Sequence, residues 1–487
     1  MDRNLTALKP ELVWKHFAQI VRIPRPSGHE EKIRAYVLDF ARSKGLCCLE
    51  DEAHNVYVRK PASPGMEQCK GVVLQAHLDM VPQKNNDKTF DFEKDPIDAY
   101  VDGVWVTADG TTLGADNGIG VAAILAVLED DTLVHGPLEA LFTATEETGM
   151  DGAFGLKGGL LQGDILLNLD SETEGELYVG CAGGLDANIR FDYAAQAAPA
   201  GYVAARIAVK GLKGGHSGIQ IIAQRANANK VLFRFLNAAS ARRDVLLASV
   251  DGGGLRNAIP REAEAVVLVP AGEYAAFAGE VAAYEATIRA EYAATEDGVS
   301  IAIAPCDAPA AIIDRDVAAK LVRAVVACPD GVQRMSTAMP GLVETSTNLA
   351  RVVSDGNTVQ LQCLLRSSVN TAKEALGEAI AAVFTLAGAE VELTGSYNGW
   401  NPDMASPILK AMTESYEALY GVKPAVTAIH AGLECGIIGT SYPGLDMISF
   451  GPTICYPHSP DERVQIASVA KFYDFLTHTL RNIPCRQ

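Results

Sequence analysis

Three short apolar runs in the first half of the chain each lead into a residue that can carry charge or hold a metal. Cys69–Ala76 (CKGVVLQA) runs into His77-Leu78-Asp79, Leu138–Thr145 (LEALFTAT) into Glu146-Glu147, and Asp164–Leu169 (DILLNL) into Asp170. Each is rich in β-branched or large apolar residues and bounded by Gly or acidic residues, so each reads as a buried strand. Between the first two, Gly118–Glu129 reads as an apolar helix, preceded by Asp116 in Gly114-Ala115-Asp116-Asn117-Gly118. Strands alternating with helices imply a mostly parallel α/β sheet. In such a sheet, side chains just past the carboxyl ends of the strands converge on one crevice.

Taken singly, a strand-end Asp is an ordinary helix cap and a Glu-Glu pair is ordinary solvated surface. Taken together, carboxylates crowded into one crevice repel unless a cation neutralises them. Oxygen and imidazole ligands without thiolate suit zinc, manganese or cobalt in a catalytic site that keeps a position open for water. The H-E-x-x-H helix is absent, since His29-Glu30 has Ile33 where a second His would fall.

The rest of the chain has a different rhythm. Ser27 and Glu30 have the S-x-x-E spacing of a capping box, opening a helix that ends near Gly45. From about Leu185 the order strand 204–211, helix 225–242, strands 244–253 and 263–270, helix 272–292 and strand 299–306 is βαββαβ, the split ferredoxin-like unit. Helix 314–328, strand 358–366, helix 371–386 and strand 389–396 resemble an incomplete second copy. Helices 407–420 and 466–482 follow, separated by Gly- and His-bearing loops.

Composition narrows the partners. With 487 residues, two or three domains are expected. A formal charge of −19 with no block of like charges gives nothing to condense on nucleic acid or an anionic bilayer. No apolar stretch approaches the roughly 18 residues of a membrane span, and the N-terminal residues lack a signal-peptide apolar core, so a cytoplasmic location is expected. The ten cysteines show no C-x-x-C pair, and most are expected to be buried small hydrophobes.

H-L-D-M at 77–80, G-A-D-N-G at 114–118, E-E-T-G at 146–149, N-L-D-S-E at 168–172 and P-H-S-P-D-E at 457–462 resemble the dinuclear zinc peptidases that include carnosinase, glutamate carboxypeptidase and bacterial dipeptidases. P-S-G-H-E-E at 26–31, G-G-H-S-G at 214–218 and H-A-G-L-E-C-G at 430–436 are similar to the dipeptidase branch acting on Xaa-His substrates. The resemblance spans the whole chain in order. It implies two divalent metal ions, zinc with manganese or cobalt as alternatives, held by His77 and Asp170 on one side and Glu147 and His458 on the other, with Asp116 bridging. It further implies that Asp79 orients His77, that the peptide after Asp116 is cis, and that Glu146 is the general base acting on a bridging water.

Three carboxylates and two neutral imidazoles bring −3 against the +4 of two divalent cations, and a hydroxide cancels the remainder. A substrate carboxylate then needs its own partner, for which the resemblance points to Arg366 in Leu364-Leu365-Arg366-Ser367-Ser368. It likewise implies that His216 and Asn257 stabilise the oxyanion. Glu434 and His430 stay open: Glu434 could bind a substrate amino group or imidazole, or serve in a salt bridge.

His458 lies far from His77 in sequence, so a shared centre requires a discontinuous catalytic domain. The expected organisation is an α/β domain of residues 1–185 and 400–487, with a mixed, mostly parallel sheet, and an inserted α+β lid of residues 186–399 made of ferredoxin-like, doubled units. A single such unit commonly dimerises and lends its His to a neighbour, whereas a doubled one can supply it within the chain; monomer and homodimer both remain open. The expected function is hydrolysis of a small peptide substrate, a dipeptide of Xaa-His type. An N-acyl amino acid deacylase, another exopeptidase and a non-catalytic metal-dependent binding protein are the alternatives.

Overall fold

The computed structural model describes residues 3–485. The chain divides into two compact units, one made of Met1–Gly180, Pro402–Ala428 and Leu433–Gln487, the other of Cys181–Asn401 and Ile429–Gly432. The grouping of residues 429–432 with the second unit has no counterpart in the sequence pattern.

The first unit is built on an eight-stranded sheet in the order Cys47–Glu50, Val56–Lys60, Leu138–Thr143, Val72–His77, Ile165–Asn168, Asp446–Ser449, Glu176–Cys181, Ala425–Ile429. Its middle is parallel, with Val72–His77 between Leu138–Thr143 and Ile165–Asn168, and Asp446–Ser449 beyond. Antiparallel strands flank this middle on both sides. Every residue of Val72–His77 is buried, as a strand covered on both faces must be. The helix Ala115–Glu129 is buried from Asn117 to Leu128, which is why its sequence is apolar all round. A four-stranded sheet pairs Arg463–Gln465 with Trp105–Ala108 and with Ile454–Cys455. That pairing anchors both ends of the 456–462 loop.

The helix expected after Ser27 spans Glu31–Ser43, but Ser27 and Glu30 do not form a capping box. Their side chains bond elsewhere, as described below. Five of the ten cysteines are buried, fewer than expected. Among the described residues no helix is long and apolar enough to cross a membrane.

The second unit carries a nine-stranded antiparallel sheet. Half of it runs Ser300–Pro305, Tyr202–Lys210, Ala263–Pro270, Leu246–Gly253, the fourth-first-third-second order of a split βαββαβ unit. The other half runs Val343–Asp355, Thr358–Ser367, Gly183–Asp192, Glu390–Tyr397, with Gly331–Met335 also pairing Val343–Asp355. The second copy is therefore complete. Its first strand is Gly183–Asp192, parted from the rest because the whole first copy lies between them in sequence. The halves join where Asp251–Gly253 pair with Arg351–Val353. One apolar core, including Phe191, Phe233, Phe277 and Phe384, underlies both.

Candidate metal centre

His77 is the last residue of a central parallel strand, and Asp170 follows the next strand by two residues. Glu146 and Glu147 follow Leu138–Thr143 after a turn in which Thr145 takes a positive φ of 55°. Asp116 stands at the start of the buried helix, and the Asp116–Asn117 peptide is cis. These strand ends bring the expected residues together. His77 Nε2 lies 3.0 Å from Asp116 Oδ1 and 3.3 Å from Asp170 Oδ1. His458 Nε2 lies 3.1 Å from Asp116 Oδ2 and 2.9 Å from Glu147 Oε2. Asp116 thus turns one oxygen to each imidazole. Three overlapping groups, His77–Asp116–Asp170, His77–Glu146–Glu147 and Asp116–Glu147–His458, each place their donor atoms within 4.8 Å of one another.

Asp79 ties the centre together from behind. Its Oδ1 is 3.2 Å from His77 Nδ1 and accepts the Glu146 N–H, while Oδ2 accepts the Glu147 N–H and the Ser27 hydroxyl. Burial opposes its charge most, yet His77, Ser27 and the Glu146 amide together hold it down at about 2. Glu30 Oε1 accepts from both the Thr145 N–H and hydroxyl and from the Gly28 N–H. The two residues with capping-box spacing therefore brace the Glu146–Glu147 turn. Sequence reasoning missed this because the bonds reach across 52 and 115 positions.

The electrostatics call for positive charge. Burial pushes Glu146 well above the usual carboxylate range; His77 opposes this, while Asp170, Glu434 and Glu147 add to it. Burial likewise lifts Asp170 to about 6. Burial pulls His77 down, but Asp170, Asp116 and Asp79 outweigh it and raise the imidazole well above its ordinary value. Hydrogen bonds to Asp116 and Glu147 lift His458 to about 11. Glu147 Oε1 is buried with no hydrogen-bond partner. Carboxylate oxygens and imidazoles this close, with a buried oxygen unsatisfied, fit divalent cations.

Glu434 is fully buried, and its Oε2 accepts from Gln75 Nε2 at 2.6 Å and Thr143 Oγ1 at 2.7 Å. Its place is in a buried polar row that continues from Gln75 to Asn168, rather than in a salt bridge.

His216, Asn257 and Arg366 belong to the second unit. His216 Nδ1 accepts the N–H groups of Gly218 and Ile219, so the neutral ring carries its proton on Nε2. Burial first, then the Arg366 charge, lowers its pKa and favours that neutral form. Asn257 precedes Ala258, which pairs with His216 across a two-residue ladder. Arg366 is buried on Thr358–Ser367, and its Nε has no hydrogen-bond partner. His216, Arg366 and His430 gather around Gly218, where a Cβ would stand 3.0 Å from His216 Cε1, 3.2 Å from Arg366 Nε and 2.3 Å from His430 O. His430 Nε2 is 2.7 Å from Ser346 Oγ, and burial, followed by Arg366, takes its pKa down to about 3.

Residues 73–482 match the family model described as Peptidase family M20/M25/M40. The chain is 47% identical over 486 residues to the cytosol non-specific dipeptidase of Escherichia coli (strain K12), covering 99% of this chain and 100% of that one. Among solved structures, the aminoacylhistidine dipeptidase of Vibrio alginolyticus matches with a TM-score of 0.95 and 46% identity, over 99% of each chain. An aminopeptidase of Bacillus cereus, 15% identical with a TM-score of 0.58 over 98% of this chain and 99% of that one, shares the fold.

Proposed function

The chain belongs to peptidase family M20/M25/M40 and is a metallopeptidase, and from that premise we propose that it hydrolyses dipeptides, Xaa-His dipeptides among them, in the cytoplasm. The observation that carries this reading is Asp116, whose two oxygens face His77 and His458 at 3.0 and 3.1 Å. His77 and Asp170 would hold one divalent cation, Glu147 and His458 a second, and Asp116 would serve both. Zinc is the metal we favour, with manganese or cobalt fitting the same donors. When bound, such a pair lowers the pKa of water and polarises a carbonyl.

The chain's own groups do the rest. Glu146, beside His77 and Glu147, takes a proton from the attacking water and returns it to the leaving amine. Asp79 Oδ1 stands 3.2 Å from His77 Nδ1 and its charge favours a proton there, leaving Nε2 directed at Asp116 and Asp170. For the second unit, we propose a lid role in substrate binding. His216 offers its Nε2–H, with Asn257, to the developing oxyanion, and Arg366 takes the substrate carboxylate with a guanidinium whose Nε is unsatisfied.

A panel of dipeptides, tripeptides and N-acyl amino acids on metal-reconstituted protein tests the substrate class. Dipeptides should be turned over fastest. Preference for acylated amino acids would favour a deacylase instead. Glu146→Ala should retain both metals yet lose roughly 10²–10⁴-fold in kcat. Substantial turnover in that variant would refute the base assignment.

A further inference from the structure

The reading above requires Asp116 to present one oxygen to each imidazole, and this inference, which rests on that reading, concerns what fixes it there. Four successive backbone N–H groups leading into Asp116 are taken by a single side chain. Glu462 Oε2 accepts from Leu113 at 2.8 Å and Gly114 at 2.9 Å, and Oε1 accepts from Ala115 at 2.7 Å and Asp116 at 3.2 Å. Arg25 approaches the same loop, donating Nη2 to Gly114 O and Nη1 to Leu78 O and Asp79 O at 2.8 and 2.6 Å. Both side chains are 2% exposed. Gly114 is therefore gripped through its N–H by a carboxylate and through its carbonyl by a guanidinium. It adopts φ 70°, and a Cβ there would stand 2.6 Å from Arg25 Nη2, so only glycine suits the position.

Burying two charges is costly unless each is satisfied by hydrogen bonds. Here the bonds converge on the loop that carries Asp116 and, through Leu78 and Asp79, on the segment that carries His77. Glu462 also lies in the same short segment as His458, four residues on, so one loop brings a candidate ligand and the carboxylate that steadies another.

We propose that Glu462, opposed across Gly114 by Arg25, is a positioning residue that holds Asp116 between His77 and His458. A merely structural carboxylate offers the control. Glu139 is also buried and accepts the N–H groups of Gln162 and Gly163 at 2.7 and 2.9 Å, but it bonds to no candidate ligand.

The test is a cobalt(II) titration of the full-length metal-free protein, read by visible absorption and calorimetry, with thermal unfolding of each metal-free variant alongside. Glu462→Gln keeps the side chain's size but cannot accept all four N–H groups. It should unfold cooperatively, bind cobalt about 10–100-fold more weakly than wild type and show an altered visible spectrum. Glu139→Gln should lower the melting temperature and leave cobalt affinity and spectrum unchanged. Wild-type affinity and spectrum in Glu462→Gln overturn the proposal, as does equal weakening in Glu139→Gln. If Glu462→Gln fails to fold, Glu462→Asp should show a smaller weakening in the same direction, and unchanged affinity there overturns it. A wild-type protein that binds no cobalt would refute the metallopeptidase reading itself, a result distinct from these.

Discussion

The amide of Glu146 donates to Asp79 Oδ1 at 3.0 Å, so the carboxylate that stands 3.2 Å from His77 Nδ1 also sets the backbone from which Glu146 projects. A proposed ligand and the proposed base thereby share one support. Asp79→Asn keeps the shape but turns an NH2 group toward N–H donors or toward His77. The variant should lose about 10–100-fold in kcat with little change in KM. Steady-state kinetics on a dipeptide would show this, and wild-type kcat would contradict the shared-support argument.

Gly120 lies inside the helix that Asp116 opens. Alanine there would gain about 1 kcal/mol of helix propensity. Against this, a Cβ would stand 2.0 Å from Asn117 Oδ1 and 2.7 Å from Leu169 O, one of them backbone. Overpacking of this kind costs about 1–3 kcal/mol, so Gly120→Ala should be destabilised on balance. Urea unfolding should show a lower midpoint than wild type; a raised midpoint would mean that the helix shifts freely.

His16 is 3% exposed, and its Nε2 lies 2.9 Å from Glu129 Oε2. Burial outweighs Glu129 and lowers its pKa from 6.5 to about 4. The unfolded chain therefore takes up a proton near pH 6.5 that the folded chain refuses until about pH 4. Stability from this residue is complete above the unfolded value and falls as the pH drops between the two, by up to about 3 kcal/mol. His16→Asn should show a shallower loss of melting temperature between pH 7 and 4 than wild type. Parallel curves would refute the assignment.

His77, Glu146, Glu147 and Asp170 were legible because they sit at strand ends, where a local pattern and a general property of α/β sheets coincide, whereas Asp116, at a helix start, and His458, in a loop, were legible through the motifs that carry the family resemblance. What surrounds it was not. Ser27 and Glu30 have the local spacing of a cap, and only the fold shows them bonded to Asp79 and Thr145. Glu462 was visible in its motif, but its four donors lie more than 340 positions earlier. The strand Val343–Asp355 escaped notice because Glu344, Thr345, Ser346, Thr347 and Asn348 are polar yet buried, which erases the apolar alternation that marks a strand. Gly183–Asp192 does alternate, with Leu185, Ala187, Ile189 and Phe191 buried, but it opens on two glycines that read as a break.

The nested order of the second unit bears on how the chain assembles during synthesis. Gly183–Asp192 leaves the ribosome early, yet its partners are Thr358–Ser367 and Glu390–Tyr397. Until those emerge, it has two unpaired backbone edges and four apolar side chains without a core, while the intervening copy already has all its strands. Such late, long-range pairing is slow and leaves a sticky edge open to other chains. Misassembly on the ribosome or in refolding is thus expected to begin at this strand.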